Sequence, residues 1–329
     1  MKSEFELINY LKRKTLDSLK AHPELKVGIG DDCAVLFKDS KTDLVITSDM
    51  LVEDIDFRMK WTTPALLGHK ALAISLSDIA AMGAKPKWAM LSIGVPAKIW
   101  KSGFIDDFYN GWFALAKKFD VALIGGDVSK TPDKIVIDSI AGGETGKGKA
   151  VLRSGAKAGD LIFVTGKLGG AAAGLKLLEK GERLGKGLKN NIPKLLLRQL
   201  SPNPQTEIGQ ILGEKSLATA MIDLSDGLSS DLSHLCRASG VGACVFADKI
   251  PIDENLKRLF TDDLDLALNG GEDFELLFTV NPQNLSKVER ELNDFPFQRV
   301  GEITAKDGII ELLTGNKKTI LKSKGFRHF

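Results

Sequence analysis

Hydrophobic and polar positions alternate along this chain in two periods, and a well-punctuated helical stretch runs from Pro64 to Met82. Leu67, Ala71, Ile74 and Ala81 fall on one side with Leu72, Leu76, Ile79 and Ala80 beside them, so apolar residues go most of the way round. A helix of that kind is buried on several sides. Thr62 and Thr63 suit its N-cap, Pro64 its first turn and Gly83 its end. One carboxylate, Asp78, interrupts the apolar surface. It must face a polar cleft or pair with a cation such as Lys70 or Lys85, because a bare buried carboxylate costs several kcal/mol.

The remaining pattern is mixed. Residues 3–20 predict an amphipathic helix with Phe5, Ile8, Leu11, Leu16 and Leu19 on its apolar side, packed on the first domain. Strands are expected at 27–29, 33–37, 43–47, 88–95, 121–127 and 134–144, with a helix over 99–119 between them. The glycine-rich stretch Gly142 to Gly148 and the polar run Arg153 to Asp160 mark a division near residue 150. Beyond it the pattern predicts strands at 161–165 and 242–246 and in GGEDFELLFTV. It predicts helices over 169–180, after Pro204, over 228–238, after Pro251 and over 282–293, and a polar basic stretch reaching Lys194. The expected fold class is α/β of the α+β type, in two domains spanning 1–150 and 151–329, the first a sheet with helices on one face.

At 329 residues the chain suits two cores at ~150 residues each. With 45 basic and 43 acidic residues the charge is too balanced to suggest a nucleic-acid or membrane-surface protein, and the basic run Lys317 to Arg327 reads as a solvated tail. Cys33, Cys236 and Cys244 are odd in number and form no CxxC pair, which argues against a disulfide framework or thiolate zinc site and for a reducing cytoplasm. The N-terminus does not read as a signal peptide, and no run approaches the ~18 apolar residues of a membrane span. His22, His69, His234 and His328 are scattered.

The chemistry lies in a repeated local pattern: an apolar run, then small residues, then acid. It occurs in GIGDD (Asp31, Asp32), VITSD (Asp49), ISLSD (Asp78), ALIGGD (Asp127), MIDLSD (Asp223, Asp226) and LNGGED (Glu272, Asp273). Small residues let the backbone turn tightly and let a ligand approach. If several of these acids converge, each pair at 4 Å repels by about 4 kcal/mol at an effective dielectric near 20, so cations must sit among them. All-oxygen ligation points to Mg²⁺, which typically bridges substrate phosphates. There is no GxxxxGK[ST] motif, and TGKLGG is only loosely phosphate-loop-like, with helix packing as the role of its glycines.

The same motifs resemble those of the thiamine-monophosphate kinase family, in the superfamily that includes aminoimidazole ribonucleotide synthetase and selenophosphate synthetase. The likeness runs nearly end to end: GIGDDCAVL, TSDMLVEDIDF, LGHKALAISLSDIAAMGAKP, LIGGD, LRSGAKAGDLIFVTGKLG, IDLSDGLSSDL, NGGEDFELLFTV and KGFRHF. The resemblance implies an N-terminal α/β domain whose strands form a barrel with those of a second subunit, a C-terminal α/β domain, and an active site in the cleft between them. It implies a metal-binding set of Asp32, Thr47, Ser48, Asp49, Asp78, Asp127, Asp223 and Asp226, ATP contacts from Gly126, Arg153, Ser225 and Tyr109, and a substrate side formed by Asp56, Glu272 and Phe326. Asp127, Arg153 and Asp226 would be the catalytic residues. It further implies ATP as co-substrate, several Mg²⁺ ions, thiamine monophosphate as acceptor, a homodimer, and no nucleic-acid or membrane partner.

One position departs from the family. Asp56 stands in IDF where its members usually carry His, and a carboxylate there would repel an incoming phosphate unless a metal or lysine neutralises it. Two alternatives stay open on sequence alone: another ATP-dependent member of the superfamily, and a non-catalytic nucleotide or thiamine-phosphate binder. A selenophosphate synthetase is disfavoured because no Cys precedes Cys33.

Overall fold

The structure is a computed structural model and describes residues 4–185, 191–257 and 259–326. After the N-terminal helix α1 (Glu4–Ala21), the first unit builds a six-stranded sheet from β1 (Leu25–Val27), β2 (Ala34–Phe37), β3 (Thr42–Val52), β4 (Lys85–Val95), β5 (Ala122–Lys130) and β6 (Val136–Gly146). Their order is β1-β2-β3-β6-β4-β5, antiparallel except for the parallel β4–β5 pair. Alternation along the strands decides which face is buried. Val45, Thr47 and Leu51 of β3, Leu91 and Ile93 of β4 and Ile137 of β6 point inward, onto helix α2 (Pro64–Ala81). Helix α2 carries thirteen buried residues and is itself covered by α4 (Phe104–Phe119), which follows the single-turn α3 (Ala97–Trp100). The two helices meet closely at Gly68, where a Cβ would stand 1.9 Å from the Phe108 carbonyl oxygen. Thr63 caps α2 by accepting the Leu66 N–H, as its sequence suggests.

The second unit is a seven-stranded sheet ordered β13-β12-β9-β11-β7-β10-β8, antiparallel except where β12 meets β9. Its strands are β7 (Leu161–Thr165), β8 (Ala220–Asp223), β9 (Gly242–Phe246), β10 (Leu276–Val280), β11 (Phe297–Thr304), β12 (Ile310–Thr314) and β13 (Lys317–Ile320). Its helices are α5 (Gly170–Glu179), α6 (Asn191–Leu200), α7 (Thr206–Glu214), α8 (Leu228–Ser239), α9 (Glu254–Lys257), α10 (Asp263–Asn269) and α11 (Leu285–Glu291). One face of the sheet packs on α8 through Leu228, Leu232 and Leu235. The other packs on Ile208 and Leu212 of α7, Val288 of α11 and also Ala80 and Ala81 of α2. The apolar helix of the first unit is thus shared with the second, which is why it is buried on so many sides. Among the described residues no helix is long and apolar enough to cross a membrane.

Several elements differ from their sequence reading. The helix expected over 99–119 breaks at Lys101–Gly103, where Gly103 takes φ +75°. The glycines at 142 and 143 lie inside β6 and form no turn; Gly142 is required because a Cβ there would fall 2.2 Å from the Trp88 ring across the ladder. The run through GGEDFE is loop, and β10 starts only at Leu276. Helix α6 begins inside the stretch read as polar and basic, of which residues 186–190 lie outside the described set, and α10, β11 and the β12–β13 hairpin carry too weak a pattern to anticipate. The tail read as solvated begins as β13, and Arg327 to Phe329, including His328, lie outside the described residues. Helix α1 does not bury the side expected of it. Leu7, Tyr10 and Leu11 are exposed and Ile8 half-buried, while the side chains of Phe5, Leu16 and Leu19 lie outside the described residues.

Candidate active site

Asp78 sits in α2, Asp32 in the loop before β2 and Asp223 at the end of β8, and their carboxylate oxygens come within 4.8 Å of one another. Each is held by a hydroxyl or a cation. Thr47 on β3 donates to Asp78 Oδ2, and Ser77 on α2 donates to Asp223 Oδ2 at 2.7 Å. Arg153 Nη2 donates to Asp32 Oδ1 at 2.6 Å, while the Arg153 backbone N–H reaches both oxygens of Asp31 at 3.2 Å. Asp49 joins from β3, its Oδ2 accepting from Ser75 at 2.8 Å. The serines of ISLSD were not singled out in the sequence. Their signal was polar side chains in a helix otherwise buried all round.

Crowding shapes the protonation of the cluster. Burial first, then the charge of Asp32, pushes the Asp223 carboxyl up to about 8, and burial lifts Asp49 to about 6. Asp78 is raised well above the usual carboxylate range by burial and by Asp49, Asp223 and Asp32, and Asp31 rises to about 7 through burial and Asp32. Burial pulls Arg153 down, yet the charges of Asp32, Asp31 and Asp223 hold its guanidinium above its ordinary pKa. Asp32 Oδ2 is buried with no hydrogen-bond partner among the described residues. An acceptor-only set with one orphaned carboxylate oxygen and no His or Cys ligand fits a hard divalent cation such as Mg²⁺.

From this cluster a cavity of about 620 Å³ runs along the junction of the two units. Asp49, Asp56, Lys70, Gln199, Ser225, Asp226, Glu272 and Phe326 line it, among apolar side chains including Phe57, Leu67 and Leu200. Asp231, which the sequence reading passed over, holds the Ser225–Gly227 loop by accepting the N–H groups of Asp226 at 3.2 Å and Gly227 at 2.9 Å. Asp56 Oδ2 accepts the Val52 N–H at 2.8 Å, and no ion pair of Asp56 occurs among the described residues. Lys70, considered as a partner for Asp78, pairs with Glu272 instead, at 2.6 Å.

Other residues of the expected set are not drawn into this cluster within one copy of the chain. Ser48 faces the opposite side of β3 from Thr47 and Asp49 and donates to Asp138 at 2.9 Å. Gly126 and Asp127 lie exposed on the edge strand β5, with Asp127 opposite Ser92. β6 and β4 stand between β3 and β5, so three strand spacings, or ~14 Å, separate Asp127 from the row of Asp49. Tyr109 lies in α4 against Phe108 and Phe113 and does not line the cavity. The loosely phosphate-loop-like TGKLGG is closed by the protein itself. Asp273 accepts the N–H groups of Gly169 at 2.6 Å and Ala171 at 3.0 Å and so takes the place of an anion at the start of α5.

Comparison with known proteins accords with this arrangement. The AIR synthase related protein family matches through its N-terminal domain over residues 30–145 and its C-terminal domain over 157–312. The thiamine-monophosphate kinase of Bacillus subtilis is 36% identical over 330 residues, 99% of each chain, and that of Escherichia coli K12 is 39% identical over 99% of this chain and 98% of its own. This chain belongs to the thiamine-monophosphate kinase family. A solved structure of AaThiL complexed with AMPPCP and TMP is 32% identical and superimposes with a TM-score of 0.85 over 99% of this chain and 97% of that one. The thiamine-monophosphate kinase of Stenotrophomonas maltophilia K279a is 37% identical with a TM-score of 0.77, over 91% and 95%. The two-domain α/β architecture is therefore that of the family.

Proposed function

We propose that this chain is an ATP-dependent kinase that phosphorylates thiamine monophosphate to thiamine diphosphate. The observation that carries it is the single cavity in which Asp49 and Asp226, beside the buried acids, share walls with the largely apolar pocket of Glu272 and Phe326. A polyanion and a heterocycle can be held there together. A terminal phosphate oxygen of thiamine monophosphate attacks the γ-phosphorus of ATP in line, the bond to the bridging oxygen breaks, and ADP leaves. The attacking oxygen is already ionised at neutral pH, so no protein base is needed.

Asp32, Thr47, Asp49, Asp78, Asp223 and Asp226 would hold several Mg²⁺ ions, which when bound neutralise the charge of the two polyanionic reactants. Arg153 stays protonated and adds a fixed positive charge beside the acids, in reach of ATP. Gly126, Ser225 and Tyr109 are the further ATP contacts we assign. Glu272 and the Phe326 ring form the thiamine side, a ring face suiting a cationic heterocycle.

The finer assembly is a homodimer whose first sheets pair into a barrel. In its support, the outward face of that sheet exposes Met50 by 63% and leaves Met90 and Ile140 half-buried, and Ser48 and Asp127 share that face. A second copy laid there would cover the apolar residues and bring Asp127, Gly126 and Ser48 to a shared site. We place the division of the chain at 1–150 and 151–329. The buried free thiols of Cys33, Cys236 and Cys244 accord with a reducing cytoplasm.

Purified protein given Mg²⁺, ATP and thiamine monophosphate should release ADP and form thiamine diphosphate in equal amounts. Binding of both ligands with no ADP release under any metal condition would leave a non-catalytic binder.

A further inference from the structure

The cavity wall also carries a buried polar group that the metal set does not include. Lys70 of α2 is 3% exposed and donates from Nζ to Oε1 of Glu272 at 2.6 Å. Gln199 of α6 is 5% exposed and donates from Nε2 to the other oxygen, Oε2. An ionised carboxylate only accepts, so this bond orients the amide with its nitrogen toward Glu272 and its oxygen away. That oxygen is buried and has no hydrogen-bond partner among the described residues. Glu272 is fixed from its backbone as well, with φ +66° and its N–H donating to the Ser225 carbonyl at 2.8 Å. All three side chains line the cavity.

Buried carbonyl oxygens are rarely left without a donor, and one beside a ligand cavity is matched by a donor on the ligand. Thiamine monophosphate carries a single N–H group, the exocyclic amine of its pyrimidine ring. Lys70 already balances the Glu272 charge, so this wall suits the neutral pyrimidine better than the cationic thiazolium. We propose that Gln199 is a specificity-determining residue whose Oε1 accepts a hydrogen bond from that amine, while Lys70 and the Gln199 amide nitrogen hold Glu272 in one orientation beside it. The assignment deepens the proposed kinase activity and rests on it.

The test compares thiamine monophosphate with its 4-oxo counterpart, in which a carbonyl replaces the amine, on the parent protein and on Gln199→Met. Methionine keeps the length and removes the acceptor. The parent should favour the amine by ~100-fold in kcat/KM, since a site built to bond a donor rejects the analogue lacking it. Gln199→Met should raise KM for thiamine monophosphate ~10-fold and lose most of the preference, with KM for ATP and turnover at saturation unchanged. Equal kcat/KM for the two compounds on the parent would overturn the assignment without any variant, which covers a Gln199→Met that fails to fold. An unchanged preference in a folded Gln199→Met would overturn it equally. A parent that turns over neither compound, by contrast, removes the kinase activity itself.

Discussion

Ser77 Oγ donates to Asp223 Oδ2 at 2.7 Å, and through that bond a helix of the first unit holds a carboxylate of the second. Both residues are buried, Ser77 fully and Asp223 to within 2%. Ser77→Ala leaves the carboxylate short of a donor in a site already crowded with charge. The expected cost is about 1–3 kcal/mol in thermal unfolding, with Mg²⁺ affinity lowered ~10–100-fold by calorimetry. Unchanged Mg²⁺ affinity would mean that the bond serves only to join the units.

Asp78→Asn removes one ionisable carboxyl from a cluster in which burial and neighbouring acids oppose its ionisation. The variant should fold and, without metal at pH 8, be more stable than the parent by ~1 kcal/mol or more. Turnover should fall at least ~100-fold, as it must if this carboxylate is a metal ligand. Full activity at limiting Mg²⁺ would remove Asp78 from the site.

Protonation of the cluster sets a pH dependence of definite sign. Burial raises Asp223 from an ordinary 3.8 to about 8 and Asp49 from 3.8 to about 6. The folded chain then binds more protons than the unfolded one between those values, so stability is full below pH ~4 and is lost as pH rises through 6 and 8. In chelator, the melting temperature should drop between pH 5.5 and 8.5, equivalent to ~1–3 kcal/mol. Mg²⁺ binds the deprotonated form, so it should restore more stability at pH 8.5 than at pH 5.5. A metal-free melting temperature that rises over this range would contradict the crowded cluster.

Asp56 spends one oxygen on the Val52 N–H and still lines the cavity. Asp56→His should lower KM for thiamine monophosphate ~5-fold, the equivalent of relieving about 1 kcal/mol of repulsion between charges 4 Å apart in water. It should also cost ~1 kcal/mol of stability for the lost turn bond. Steady-state kinetics at several substrate concentrations separates these, and an unchanged KM would make the carboxylate a turn-former alone.

Met50 is 63% exposed on β3, on the outward sheet face that also carries Ser48 and Asp127. Met50→Lys should convert a dimer to a monomer in sedimentation and abolish turnover, while melting of the single chain changes little. A monomeric variant with full activity would show that one copy contains the whole site.

Much of this molecule can be read from residue order. The apolar circumference of α2, its Thr63 cap and the strand alternation around Val45, Leu91 and Ile137 follow from local periodicity, because each needs only neighbours a few positions away. β11 could not be read that way. Gln298 and Arg299 are exposed within it, and it is a strand because β7 and β9 pair with it on either side. The GGEDFE loop misled for a different reason: it runs without a break into the apolar strand LLFTV, but its acids are pulled aside, Glu272 by Lys70 and Asp273 by the start of α5.

The sequence by itself determined which acids follow small residues, and hence which carboxylates the backbone can bring close to a ligand. It also carried the family likeness and the odd carboxylate at Asp56. Only the tertiary structure decided partnership. Lys70, two turns before Asp78 on the same helix, pairs with Glu272 of the other unit, and Thr47 takes Asp78. Ser48 and Asp49, adjacent in the chain, fall on opposite faces of one strand. The reason is physical: a residue's type fixes what it can bond, whereas which bond it makes depends on the groups that packing delivers within about 3 Å.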